Sequence, residues 1–395
     1  MATILPLTET FKRFFASEKA GGVILLFCTA LSLGVANSAL GGDYLAFWHA
    51  KVLGMSVEHW VNDGLMAVFF LLIGLELKRE LINGELSNPR HALLPILAAA
   101  GGIIVPAGIH FALNAGTPTQ PGMGIPMATD IAFALGVLSL LGNRVPWSLR
   151  VFLVALAVMD DLGAIIVIAL FYSTDISLPY LGGALGMFAA LRVLGRFRIV
   201  SLVPYLIGGT VMWYLMLRSG VHATIAGVLL AFTIPFSALR DDAKSPSHRL
   251  EHWLHKPVAF GVLPIFALAN TGVLIGASWA DELTTANGLG ILGGLIVGKP
   301  VGILLACALA VSLGLCRLPS DMRWSHVLGA GMLGGIGFTM SIFIANLAFP
   351  TDPATINASK MAILGASLTA GVLGYCFLRM VPKKGSDPYS KTVVS

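Results

Sequence analysis

Long apolar runs alternate with short polar joints along the whole chain. Runs long enough to cross a membrane as helices fall near 21–40, 59–77, 92–113, 123–142, 148–172, 178–194, 199–217, 221–235, 257–277, 287–313, 326–349 and 356–381. A helix needs about 20 mostly apolar residues to span the hydrocarbon core of a bilayer. The pattern therefore predicts an all-α polytopic membrane protein with about twelve transmembrane helices. The first run ends at Ala36-Asn37-Ser38, which looks like a signal-peptide cleavage site, and is read as a retained helix. Placing the N-terminus in the cytoplasm and alternating sides puts nearly every basic residue on the cytoplasmic side, including Arg240, Lys244, Lys383, Lys384 and Lys391. The exceptions are Lys51, Arg218, Lys360 and the in-span Lys299. That asymmetry predicts that both termini are cytoplasmic.

Composition narrows the class. Of the 395 residues, 56% are hydrophobic and 11% charged, with mean hydropathy +0.84; soluble domains carry about 25% charged residues. Forty-five glycines and twenty prolines point to close helix packing and broken helices. The net charge of +5 is what cytoplasmic loops of such a protein supply and implies no nucleic acid. Cys28, Cys307, Cys316 and Cys376 lie in or beside apolar spans without a CxxC or a Cys/His cluster, so neither a disulfide, a zinc site nor another cofactor is expected. Gly288 to Gly293 spells a dinucleotide-type GxGxxG, but no strand precedes it and no acid follows about 20 positions on.

The candidate chemistry centres on 148–172, SLRVFLVALAVMDDLGAIIVIALFY, with Asp160 and Asp161 in its middle. Carboxylates at mid-membrane are costly and by default mark an ion or proton pathway. Neighbours on a helix point about 100° apart, so one acid can face a cavity and the other a neighbouring helix. Two such charges resist ionising together. Lys299, in GLIVGKPVGIL, needs a carboxylate partner or a depressed pKa, and Asp160 and Asp161 are both candidate partners. Gly294, Gly298 and Gly302, spaced four apart, allow a close helix contact beside it. In the fourth span, Pro126 with Thr129 and Asp130 predicts a helix break whose free backbone groups and polar side chains can meet an ion. The eleventh span pairs Gly334, Gly335 and Gly337 with Thr339 and Ser341 in the same way, and two interrupted segments in corresponding places are a pointer to a midplane site. Asp63 and Glu76 bracket the second span, with Arg79 and Glu80 just beyond. His222 opens the eighth. The 236–256 stretch, read as the longest cytoplasmic loop, gathers Glu251, His252 and His255, and histidines titrate near neutrality.

Together NDGLMAVFFLLIGLELKRE, PMATDIAFALGVL, ALAVMDDLGAII, SGVHATIAG, GKPVGI and GIGFTMSIFIA resemble the NhaA family of sodium/proton antiporters, from about Gly21 to Arg379. The resemblance implies a secondary transporter of a bacterial inner membrane, not an enzyme, that exchanges cytoplasmic Na+ or Li+ for external H+ by alternating access, electrogenically and under pH control. It implies an inverted repeat with two discontinuous crossing helices, spans 4 and 11. The core is then 91–172 and 286–381, and the interface bundle is 1–90 and 173–285, with 382–395 as a cytoplasmic tail. Asp161 is the implied sodium ligand, Asp160 the acid paired with Lys299, and Asp130 with Thr129 the group at the helix crossing. Asp63 and Glu76 are implied acids of a cytoplasmic funnel. Glu80, His222, Glu251, His252 and His255 are implied in the pH response. A homodimer is implied too, although the stretch Gly41 to Glu58 is short, which points to a weaker or different dimer surface. Paired membrane aspartates also occur in intramembrane proteases, and Asp130 with Asp161 fits one geometrically. That class needs no buried lysine, and its Gly-x-Gly-Asp pattern is absent. A channel or an organic-substrate symporter would also use such a scaffold.

Overall fold

The computed structural model describes residues 9–84, 87, 89–173, 175–236, 245–276 and 279–382. Arg240, Lys244, Lys383, Lys384 and Lys391 lie outside these, as does the tail beyond residue 382. The described chain is a bundle of helices. Six are long and apolar enough to cross a membrane: Ala92–Asn114, Gln120–Leu140, Trp147–Phe171, Leu178–Arg196, Ala286–Ser312 and Pro353–Met380. Two further pairs qualify only jointly, Ala20–Ala36 with Gly41–His49, bent by 113°, and Trp324–Gly334 with Phe338–Ala348, bent by 48°. The other four expected spans are helical over part of their length, in Met66–Asn83, Val203–Ser219, Ile225–Thr233 and Leu263–Asn270, so length and composition alone yield fewer than twelve crossings. Apolar side chains from Leu25 to Leu378 form one continuous core, and large ones such as Phe27, Leu170 and Leu305 are left facing outward. This is a multi-pass membrane protein, apolar inside and out.

Among the described residues, three turns widen into π-helix, at Trp60–Leu65, Val258–Val262 and Gly294–Gly298. The short stretch 41–58 holds the Gly41–His49 helix and a small antiparallel pair, Lys51–Val52 with Met55–Ser56. Its two-residue turn has positive φ at both Leu53 and Gly54, the hairpin geometry that suits right-twisted strands.

Helix approach is set by glycine at two places that matter here. A Cβ on Gly302 would lie 2.2 Å from the carbonyl oxygen of Gly101, and one on Gly227 would lie 2.2 Å from that of Ala67. The first contact draws the helix carrying Lys299 against Pro89–Asn114 and fixes the depth of the lysine.

Candidate functional site

Asp160 and Asp161 sit on the long Trp147–Phe171 helix, whose apolar sequence carries them into the protein interior; neither is exposed at all. The helical offset sends them to different surroundings. Asp160 Oδ2 lies 2.6 Å from Lys299 Nζ and 2.6 Å from the Thr129 hydroxyl. Lys299 also donates to the Met127 carbonyl, which the break in the Gln120–Leu140 span leaves free. The Thr129 hydroxyl is 2.8 Å from the Gly334 carbonyl as well, and its single proton serves one of these acceptors at a time. Asp160 Oδ1 and both oxygens of Asp161 accept no hydrogen bond from any described residue. Three carboxylate oxygens of two adjacent residues are thus buried without a donor among the described residues.

The two broken segments satisfy each other. Asp130 N donates to Ile336 O at 2.6 Å and Ser341 Oγ to Ile125 O at 2.7 Å, while Phe338 N is met from the last helix, Pro353–Met380, by Ser367 Oγ at 3.1 Å. Backbone groups released by Pro126 and by the Gly334–Gly337 stretch would otherwise be stranded in an apolar interior. Asp130 caps both following helices. Its Oδ1 accepts from Phe133 N at 3.1 Å, its Oδ2 from Thr339 N at 3.1 Å and from the Thr339 hydroxyl. A negative charge there offsets two positive helix ends. Each cap is worth about 1 kcal/mol, so Asp130→Ala is expected to lower unfolding stability by roughly 2 kcal/mol, read as a drop in thermal midpoint in detergent. Asp130→Asn, which keeps one acceptor, should lose less.

A charged cluster lies where Met66–Asn83 meets Pro246–Pro257. Arg79 pairs with Glu80 and with Glu251, each at 3.0 Å; His248 is 4.0 Å from Glu251, and His255 is 3.9 Å from Glu76. A cavity of about 40 Å³, lined by Glu76, His255, Ile131 and Ala132 among others, runs inward from this cluster, and that volume admits water. The region read as a loop is therefore helical from residue 246. Ser245 accepts from His248 N at 3.2 Å and Pro246 opens the first turn, both ordinary start signals. Burial, then the neighbouring charges of His252 and Arg79, pushes the His255 imidazole below the usual histidine range; Glu76 at 3.9 Å does not offset them. His252 itself is exposed.

Two expected members do not join these groups. Asp63 precedes Glu76 on the same span by a helix length of about 20 Å and pairs instead with His59 at 2.9 Å, while its carbonyl accepts from Trp213 at 3.0 Å. It cannot share the mouth lined by Glu76. His222 is 2.8 Å from the carbonyl of Tyr172, beyond the far end of the aspartate helix, and is separated from Glu80, Glu251, His252 and His255. Sequence reasoning missed Lys78, which is buried and donates to the carbonyls of Ala231, Phe232 and Ile234 at the end of Ile225–Thr233. Its location beside Arg79 reads as a surface charge, and only the early end of the neighbouring helix exposes those carbonyls.

The family model described as Na+/H+ antiporter 1 matches residues 12–378. A protein of Dechloromonas aromatica (strain RCB) named Na(+)/H(+) antiporter NhaA is 69% identical over 373 residues, 94% of this chain and 96% of the relative. One of the same name from Cytophaga hutchinsonii is 59% identical over 380 residues, 96% of this chain and 97% of the relative. A third, from Mesorhizobium japonicum, is 53% identical over 382 residues, 95% and 96% of the two chains. The chain belongs to the Na+/H+ antiporter 1 family, a family of transporters rather than enzymes.

Proposed function

We propose that this protein exchanges cytoplasmic Na+ or Li+ for external H+ across the bacterial inner membrane by alternating access. One observation carries the reading: three oxygens of the Asp160–Asp161 pair are buried without a hydrogen-bond donor among the described residues. Buried carboxylate charge without a partner is untenable, so the pair must hold either protons or a cation. Hard cations take oxygen ligands, and the two occupants exclude each other. That exclusion is the coupling. Sodium entering between the acids draws Asp160 from Lys299, which then gives up its own proton; more than one proton leaves per sodium and the exchange is electrogenic. An inside-negative potential, worth about 2.3 kcal/mol per charge per 100 mV, then helps expel sodium.

In this reading twelve spans form an inverted repeat, with 91–172 and 286–381 as a core moving against the bundle of 1–90 and 173–285. Both termini are cytoplasmic, and the Glu76 cavity is the cytoplasmic entrance. A homodimer uses the small hairpin at Lys51–Ser56 or another surface. The test is reconstitution into vesicles with an imposed pH gradient. Sodium and lithium should dissipate the gradient; no cation-dependent proton movement at any pH would sink the reading.

The charged cluster at the entrance is the proposed pH control. His255 is held neutral, so the contact between Pro246–Pro257 and the second span has its full stability above the unfolded histidine pKa of about 6.5. It loses stability as pH falls below that, when a proton is forced on beside Arg79 and His252. The protection of amides in 246–257, taken relative to the intrinsic exchange rate at each pH, should therefore fall between pH 8 and pH 5.5. The fall should be smaller in His255→Gln. An equal fall in both proteins would remove His255 from the control.

A further inference from the structure

At the end away from Glu76, polar links join the two groups of spans. Asn270, 1% exposed at the last turn of Leu263–Asn270, donates to Asn62 Oδ1 at 2.8 Å and accepts from Asn346 Nδ2 at 2.6 Å. Lys360, 6% exposed, lies 3.9 Å from Glu58 Oε1. Asn62, Asn270 and Glu58 are on bundle spans; Asn346 and Lys360 are on core spans. Next to the ladder, the Phe343 ring lies between Phe70 and Phe266, with centroids 5.6 and 6.4 Å away. Asn62 and Glu76 are separated by about 20 Å of helix, so these links lie at the end opposite the cavity lined by Glu76.

The chemistry of the links suits parting. The Asn270 amide and the Lys360 ammonium are buried while Asn62, Asn346 and Glu58 are half-buried; such groups are costly to leave unpartnered, but cost little to separate when water takes the place of each partner. An apolar seal would expose its whole surface to water on opening. We infer that the Asn62–Asn270–Asn346 ladder and the Glu58–Lys360 pair form an outer gate. It holds the external end shut while the Glu76 end is open, and it separates each time the aspartates face outward. This rests on the alternating-access reading.

The test places cysteines at the ladder, as Asn270→Cys with Asn346→Cys, in a protein whose Cys28, Cys307, Cys316 and Cys376 are replaced by alanine. A short, reducible bis-methanethiosulfonate joins them in reconstituted vesicles. Exchange should fall at least about tenfold on cross-linking, by more than 1.4 kcal/mol of barrier, and return on reduction. Cross-linked protein that exchanges as fast as reduced protein overturns the gate. In the same vesicles the cysteine-free parent distinguishes this from failure of the transport reading, in which the parent too would move no protons. A second measurement does not depend on the ladder variants. Glu58→Gln with Lys360→Gln should raise several-fold the labelling of Ala345→Cys by an impermeant external maleimide. Unchanged labelling contradicts the gate.

Discussion

Asparagine in place of Asp161 is expected to stop sodium-driven proton movement while leaving the protein folded. The exchange conserves shape, removes the charge and puts an NH2 group in place of one oxygen. Because both Asp161 oxygens lack a donor among the described residues, no native hydrogen bond is lost. The thermal midpoint in detergent should hold or rise, since a buried charge beside Asp160 is gone. In the proposed exchange, transport loses its cation ligand and its proton carrier together. Forfeiting even about 3 kcal/mol of ion coordination means roughly a 100-fold loss. Gradient dissipation in vesicles, read alongside thermal unfolding, checks both halves. Retained sodium-dependent exchange would remove Asp161 from the site.

Lys299→Ala should act on stability as much as on transport. The ammonium is fully buried, 2.6 Å from Asp160 and bonded to Met127 O. Removing it leaves a buried carboxylate and a carbonyl short of a donor, and breaking a buried pair from one side costs about 3–5 kcal/mol. The loss should shrink at acid pH, where a proton on Asp160 replaces the missing positive charge. Asp160→Asn with Lys299→Gln, which removes both charges and keeps a hydrogen-bonding pair, should recover much of the stability without exchange activity. A Lys299→Ala protein as stable as the parent at neutral pH would show that the pair does not hold the core together.

Much of this was readable from residues. The Asp160–Asp161 pair stood out because charges are conspicuous in a run such as ALAVMDDLGAII, and the breaks near Pro126 and at Gly334–Gly337 carried their own helix-breaking chemistry. What hydrophobic patterning cannot convey is local winding. The π turn at Gly294–Gly298 is as apolar as an α turn, yet it adds a residue to the turn and shifts everything after it, Lys299 first. The Pro246–Pro257 helix was hidden by its charges, although Ser245-Pro246 signalled its start. Asp63 was grouped with Glu76 by resemblance, where helix length sets them apart. The asparagine ladder joins residues 208 and 76 positions apart; no local signal marks such a pairing, because each asparagine alone reads as a span-end polar residue.

The central claim is that sodium and protons compete for the same oxygens. The direct measurement is proton release on adding sodium to purified protein in weakly buffered detergent solution, followed with a pH indicator and repeated with Asp161→Asn. The account predicts prompt proton release by sodium and lithium from the parent and none from the variant. Sodium binding to the parent without proton release would contradict it.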